Sequence, residues 1–381
     1  MTIKRLDKQY YDETLNLSMY AFQYKIPEEE LEKRYKQLDS HELYGIEIED
    51  KLAAKLHLLS LGVFLGDTEY KMGGIAGVAT YPEYRRKGLV KDLLTFTLER
   101  MREKGQTLSM LHPFSIAFYR KYGWELFAQL KKVKVPKAEL KMFEPVSGTI
   151  KRFNKDTYPN KLEEVYRQYA KGHSGMLARD SEWWKERTIT TLCVAVYSDD
   201  KGEDTGYILY DIKDQKMKVE EFIALNAEAR NGLWNFICQH DSMLAEVELV
   251  LHPDDPLPYL MHNPKTTTEL QPYFMARVVD VFSFFNLYFH SFEGELSMNI
   301  SDDYAPWNNG KFLLANKKTE KLSSDYEVDM ELDVNVLIPL IFGIYSATEL
   351  YNMGLIKGDQ QKIRVLTENV QVKPGFFIDF F

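Results

Sequence analysis

Arg85, Arg86, Lys87 and Gly88 stand together where a strand-like run gives way to a helix-like one. A helix N-terminus carries free N–H groups and the positive end of the peptide dipole, so this junction suits an anion. Gly88 lets backbone approach that anion, and the three cations add countercharge of the kind a pyrophosphate takes. Leu89 and Val90 open the helix behind it. The preceding strand is stripped of bulk at Gly73, Gly74, Ala76, Gly77 and Ala79, as if a chain-like molecule lay against it. Each feature also has a plainer reading. The basic letters suit a solvated helix cap, and small residues mark bulges or tight helix packing.

Elsewhere the sequence offers little other chemistry. None of the eight histidines stands at HxxxH or His-carboxylate spacing, so no metal is expected. His252-Pro253-Asp254-Asp255-Pro256 reads as a turn rather than a ligand cluster. Cys193 and Cys238 form no CxxC pair, which excludes a disulfide framework and fits a reducing cytoplasm. With 57 acidic against 48 basic residues the net charge is -9, which disfavours nucleic acid as a partner. No apolar leader opens the chain, and the greasiest run, Val336 to Ser346, is far shorter than the ~20 residues a membrane helix needs. Neither a secretion signal nor a membrane partner is expected.

The 381 residues correspond to roughly two or three domains. A helix over Tyr11 to Tyr24 and a second one opened by Ile26-Pro27 precede strands near Leu43 to Glu49, Ala53 to Ser60, Thr68 to Met72 and Gly73 to Thr80. A helix from Leu89 to Lys104, a strand from Thr107 to His112 and a short helix from Ser115 to Tyr122 follow. Lys131 to Val135 alternates like an edge strand with a charged face. This is a mixed α/β (α+β) pattern, with a first domain at 1–136. The strand-strand-helix rhythm repeats loosely over 137–275, where the matching junction, Asn226 to Gly232, lacks the arginine-glycine loop. A third segment, 276–381, holds a helix-like run from Val334 to Met353 and ends in Gly375-Phe376-Phe377-Ile378-Asp379-Phe380-Phe381.

Arg85 to Val90 resembles the Arg/Gln-x-x-Gly-x-Gly/Ala signature of the GNAT N-acetyltransferases, with Val90 in the sixth position. Leu111 to Trp124, LHPFSIAFYRKYGW, resembles their FYxxxGF element. Over nearly its whole length the chain resembles the Eis-like (enhanced intracellular survival) branch, through TYPEYRRKGL, RDSEWWKER, MARVVDV and LDVNVLIPLIFGIYSATELYNMG. That resemblance implies two tandem GNAT domains, the second degenerate, followed by a sterol-carrier-like domain. It further implies acetyl-CoA as co-substrate, a small-molecule or peptide amine as acceptor, and a cytoplasmic hexamer.

By the same resemblance, the backbone of Val78, Ala79 and Thr80 holds the pantetheine and acetyl carbonyl, and Arg85, Arg86 and Gly88 hold the pyrophosphate. Tyr119 is the general acid, with Tyr122 as competitor. Phe22 and Tyr24 line the substrate cleft. Tyr24 replaces the family's aspartate, so an aminoglycoside acceptor is not implied. The carboxylate of Phe381 is the general base, with Asp379 beside it as a substrate-binding residue. Acetyl transfer needs such groups, because a lysine-type amine with a pKa of about 10.4 attacks only as the free base, and a thiolate leaving group takes a proton from a weak acid. Burial among aromatics and a neighbouring Asp379 would raise the terminal carboxyl toward a useful range. The alternative is a binding protein for acyl-CoA or an apolar ligand, which needs neither acid nor base.

Overall fold

The structure, a computed structural model, describes residues 2–370 and 373–381. Strands β1 (Ile3–Leu6), β2 (Glu42–Ile48), β3 (Lys51–Leu65) and β4 (Thr68–Thr80) pair antiparallel in succession. Helices α1 (Tyr11–Phe22) and α2 (Leu31–Asp39) fill the connection from β1 to β2. β3 and β4 are longer than the short segments expected, because Gly62 is a paired strand residue opposite Lys71 and the chain turns instead at Gly66-Asp67. Gly66 supplies the positive φ, +61°, that a two-residue hairpin turn requires.

Helix α3 (Leu89–Glu103) carries the chain to β5 (Leu108–Leu111), which runs parallel to β4. Leu93, Leu94, Leu98 and Met101 are fully buried on its inner face. A Cβ on Gly73 would lie 2.7 Å from the Met101 sulfur, so this small residue serves helix packing. Helix α4 (Ile116–Arg120) and β6 (Glu125–Leu126) follow, with Ser115 Oγ capping the helix by accepting from the Phe118 N–H.

β5 and β6 do not touch as neighbours. Between them lies the strand Met275–Val278, antiparallel to both. In return β7 (Gln129–Pro136), which follows β6 in the chain, sits in the second sheet between Glu246–Leu251 and Thr267–Pro272. The second sheet thus takes β7 from the first stretch of chain, while the first takes Met275–Val278 and, against β3, Ser174–Leu177 from the second. The divisions at 136 and 275 cut across this exchange: 129–136 belongs with the second sheet, and 275–278 with the first. β7 is therefore an interior strand and not an edge, with Val133 and Val135 fully buried in the second core.

A five-stranded sheet organises the C-terminal domain. Its core is continuous with the first sheet, since Met72, Leu108 and Met110 share one cluster with Phe284, Phe285, Phe342 and Phe377. At this junction the fully buried Arg277 pairs with Asp302 at 2.5 Å and donates to the Tyr122 carbonyl. The expected run from Val334 to Met353 is two short helices, Leu337–Ile341 and Ala347–Asn352. Gly343, at φ +68°, ends the first, and Ser346 with Glu349 opens the second as a capping box. Among the described residues, no helix is long and apolar enough to cross a membrane, and no cluster of three or more His, Cys, Asp or Glu could hold a metal ion.

Candidate active site

β4 pairs with β5 only from Met72 to Ile75; beyond Ile75 it runs on to Thr80 without a strand on that side. On its other side the register with β3 slips, with His57 opposite Ala76 and Lys55 opposite Ala79. Gly77 and Val78 bulge out in between, and Gly77 takes φ +54°. The result is a short strand edge with unpaired amide groups, half-buried at Ala76 to Val78.

That edge leads directly into the basic turn. Arg85 Nε donates to the Thr80 carbonyl at 3.3 Å, tying turn to strand. Arg86 at φ +63° and Gly88 at φ +82° both adopt the left-handed conformation, which turns successive N–H groups toward a common concavity. Nothing lies within 4 Å of where a Gly88 Cβ would be, so glycine here keeps space open for a visitor. Arg85, Arg86 and Lys87 are exposed, and among the described residues no carboxylate pairs with them. Edge and turn border a groove of about 610 Å³, whose far wall includes Phe22, Phe118 and Tyr122. Leu89 also lines it, as the first residue of α3.

Tyr119 is buried, with its ring against Phe114, Phe118 and Trp124, and burial raises its phenol above the ordinary value. It does not line the groove; Tyr122 does. Phe22 borders the same groove, while Tyr24 lies exposed just past the end of α1.

Phe381 is buried on the opposite flank of β4. Its ring lies 2.8 Å from where a Gly74 Cβ would be, and it packs on Phe274, Phe377 and Trp183. Gly74 is therefore small to admit the last residue of the chain. The tail is extended, not a strand, and forms one bridge, Ser174 with Gly375. Asp379, expected beside the terminus as a substrate-binding residue, is buried in an ion-paired network. Its oxygens accept from Arg179 Nε at 2.9 and 3.1 Å and from the Trp183 indole at 2.7 Å. Arg179 also holds Glu221 at 2.5 Å, and Tyr207 donates to Glu221 at 2.8 Å. Burial works against the guanidinium's charge, but the two carboxylates outweigh it and raise Arg179 well above its usual value. Asp379 is thus an anchor for the tail rather than a substrate ligand.

Near Phe381, a second cleft of about 850 Å³ lies between α2 and residues 180–187, with Leu59, Leu61 and Trp183 in its wall. His41 and Arg187 also line it. Behind β4, Lys55 is fully buried and hydrogen-bonded to Ser18 Oγ and His57 Nε2, each at 2.7 Å. The expected site did not include these groups. Their signal is present nonetheless, as two polar residues at alternate positions of an otherwise apolar strand, Ala53-Ala54-Lys55-Leu56-His57-Leu58-Leu59.

Comparison with known proteins agrees with this geometry. Residues 2–127 and 175–278 each match an acetyltransferase (GNAT) domain, and residues 282–377 match a sterol carrier protein domain. The chain is 24% identical to the N-acetyltransferase Eis of Mycobacterium tuberculosis over 79% of this chain and 78% of that one. An uncharacterized N-acetyltransferase of Streptomyces griseus is 25% identical over 76% of each. A crystal structure of a probable N-acyltransferase of unknown function from Enterococcus faecalis superimposes with a TM-score of 0.93 at 27% identity, covering 100% of this chain and 99% of that one. Eis1 from Mycobacterium abscessus shares the fold, with a TM-score of 0.82 at 18% identity over 100% of both chains. With two GNAT domains of which only the first carries the basic turn, and a sterol-carrier-like domain whose tail returns to the first sheet, this chain is a GNAT-type acetyltransferase similar over most of its length to the N-acetyltransferase Eis.

Proposed function

We propose that the protein transfers the acetyl group of acetyl-CoA to a primary amine. The observation that carries this reading is the continuity of the unpaired β4 edge, Ala76 to Thr80, with the left-handed turn at Arg86 and Gly88. A pantetheine arm is an amide chain and can hydrogen-bond to a strand edge as another strand would. A pyrophosphate at its end then meets the N–H groups of the turn and the cations of Arg85, Arg86 and Lys87. The Val78 N–H is the donor nearest the bulge and suits the thioester oxygen as it becomes an oxyanion.

In this reading the acceptor amine approaches from the 850 Å³ cleft, and the Phe381 carboxylate takes the proton that the amine nitrogen sheds after attack. The ring contacts that bury Phe381 against β4 support that role. Tyr119 returns a proton to the departing thiolate, and its raised pKa keeps the phenol protonated. Tyr122 is the alternative acid, because it lines the groove. A cytoplasmic, hexameric enzyme belongs to the same reading, and sedimentation of the purified protein tests the assembly.

A second reading, an acyl-CoA binder without turnover, draws on the absence of Tyr119 from the groove wall. Titration calorimetry with acetyl-CoA, followed by thiol release with a panel of primary amines, separates the two. Native protein is expected to bind and turn over, Tyr119→Phe or Tyr122→Phe to lose turnover while still binding, and a chain extended past Phe381 to lose turnover. Absence of acetyl-CoA binding would overturn both readings; binding with no thiol release would leave the second.

A further inference from the structure

Lys55, His57 and His41 form a continuous hydrogen-bonded chain that no step above uses. Lys55 Nζ touches His57 Nε2 at 2.7 Å, His57 Nδ1 touches His41 Nδ1 at 3.2 Å, and His41 Nε2 receives Arg187 Nη2 at 3.3 Å. Ser18 from α1 completes the inner end. Lys55 Nζ also lies 3.0 Å from where a Cβ on Gly77 would be, so the chain ends directly behind the β4 bulge. At its outer end, His41 and Arg187 line the 850 Å³ cleft. Arg187 is backed by the charge of Arg34, and among the described residues no carboxylate pairs with Lys55, His57, His41 or Arg187.

The donors and acceptors of this chain can be assigned from one end. A guanidinium only donates, so His41 Nε2 is an acceptor and the neutral ring carries its hydrogen on Nδ1. His57 Nδ1 must then accept, which puts the His57 hydrogen on Nε2, facing Lys55. Only a neutral amine has a lone pair to receive it. The chain is satisfied throughout when Lys55 is uncharged, and a charged Lys55 would reverse every bond and set an N–H of His41 against Arg187.

We propose that this chain takes up the proton an acceptor ammonium must lose before it can attack. The ammonium in the cleft displaces Arg187 from His41 Nε2 and gives its proton there, His41 gives its Nδ1 proton to His57 Nδ1, and His57 gives its Nε2 proton to Lys55 Nζ. The amine is left as the free base, both imidazoles stay neutral in the opposite tautomer, and the charge comes to rest on Lys55. The second proton, shed after attack, goes to the Phe381 carboxylate; Tyr119 protonates the thiolate, and the proton held by the carboxyl restores the phenol through solvent. The net proton of the reaction leaves by the same chain in reverse. This inference rests on the reading of the site as an acetyltransferase.

Within the chain the order of proton affinities runs toward Lys55, and attack on the thioester draws forward the uphill transfer from an ammonium with a pKa of about 10.4. Burial lowers His41 to about 4 and, with the charge of Lys55 next, His57 well below its usual value, while burial lowers Lys55 only to about 7. The proton therefore passes through the histidines and stops at the lysine. It stops behind Gly77 and Val78, so deprotonating the amine brings a positive charge up behind the strand where the oxyanion is about to form. Lys55 and His57 are positioning residues in this account, acting on substrate through His41.

The test uses the full chain, thiol release and a simple alkyl amine that the native protein acetylates. General-base assistance is typically worth 10²–10⁴-fold, so Lys55→Met and His57→Gln are each expected to lower kcat/KM about 100-fold at pH 7. The defect should shrink to within about threefold at pH 10, where an amine with a pKa of about 10.4 supplies its own free base. Native kcat/KM should show an added fall below about pH 7 that Lys55→Met lacks. A loss of equal size at both pH values, or none, overturns the proposal, since a merely structural role would not depend on pH. Independently, the Lys55 Nζ nitrogen shift, read without acetyl-CoA, should report a neutral amine at pH 8.5; an ammonium there also overturns it. Failure of the underlying reading looks different, as native protein that neither binds acetyl-CoA nor releases thiol, and the proton path falls with it.

Discussion

Removing Arg179 tests why the tail is where it is. Its side chain is 1% exposed, and those of its partners Glu221 and Asp379 are 7% and 4% exposed. The guanidinium also stacks over Tyr166 at 4.0 Å and Trp184 at 4.7 Å. Arg179→Met keeps an apolar stem against those rings and leaves two carboxylates buried without their cation. Breaking a buried pair by removing one partner costs about 3–5 kcal/mol. Asp379→Asn is milder, because Arg179 keeps Glu221 and the Trp183 indole keeps an oxygen to donate to. One weakened charge-assisted bond corresponds to about 1.5–3 kcal/mol. Urea unfolding of native protein and both variants measures the difference, and thiol release measures whether a loosened tail also loses turnover. The two variants should differ in pH dependence as well. Burial already raises the Asp379 carboxyl and Arg179 opposes that rise, so without Arg179 its folded-state pKa lies further above its unfolded one, and the stability it contributes is present at low pH and lost as pH rises. The Arg179→Met deficit should therefore be smaller near pH 5 than near pH 8. A deficit no larger than that of Asp379→Asn, or one that grows on acidification, would refute the reasoning.

Gly74→Ala would put a Cβ 2.8 Å from the Phe381 ring and 3.1 Å from Leu61, and should displace the terminus and lower thiol release about tenfold, with an overpacking cost of about 1–3 kcal/mol. Gly73→Ala meets only the flexible Met101 side chain, and should retain turnover in the same assay. Arg86→Ala should weaken acetyl-CoA binding about tenfold by calorimetry, the scale of one charge-assisted bond, and leave the thermal midpoint unmoved because the side chain is exposed. Lys55, lowered by burial to about 7, binds its proton less tightly folded than unfolded, so native stability should rise relative to Lys55→Met between pH 7 and about pH 10. The slope should approach at most about 1.4 kcal/mol per pH unit, measured by denaturation across that range; a flat difference would exclude a depressed lysine.

What could be seen in the sequence was local. The basic turn needs only the six residues from Arg85 to Val90, and its conformation follows from Gly88 and a helix start, so spacing alone placed it. The small residues of β4 were noticeable as a group, but their separate reasons were not. Gly73 yields to α3, Gly74 to the terminus and Gly77 to a bulge, and each neighbour is far away in the chain. Asp379 looked like a free carboxylate because its cation stands 200 residues earlier. Lys55 and His57 were visible as polar interruptions of an apolar strand, yet the chain they open runs through His41 to Arg187 of the second GNAT segment, and only folding joins them. The exchange of β7 and Met275–Val278 left no trace in composition, since the pairing partners of each strand lie far away in the chain.

That exchange bears on how the chain is made. The gap between β5 and β6 closes only when Met275–Val278 arrives, some 160 residues after Leu111 has left the ribosome. Until then the nascent first domain carries two raw hydrogen-bonding borders, each able to seize a strand from another growing chain. Synthesis must outrun such mispairing, and cutting the gene at the linker would strand each half without its closing piece. Neither half should be expressible as a well-behaved fragment, because the first sheet also takes Ser174–Leu177 alongside β3.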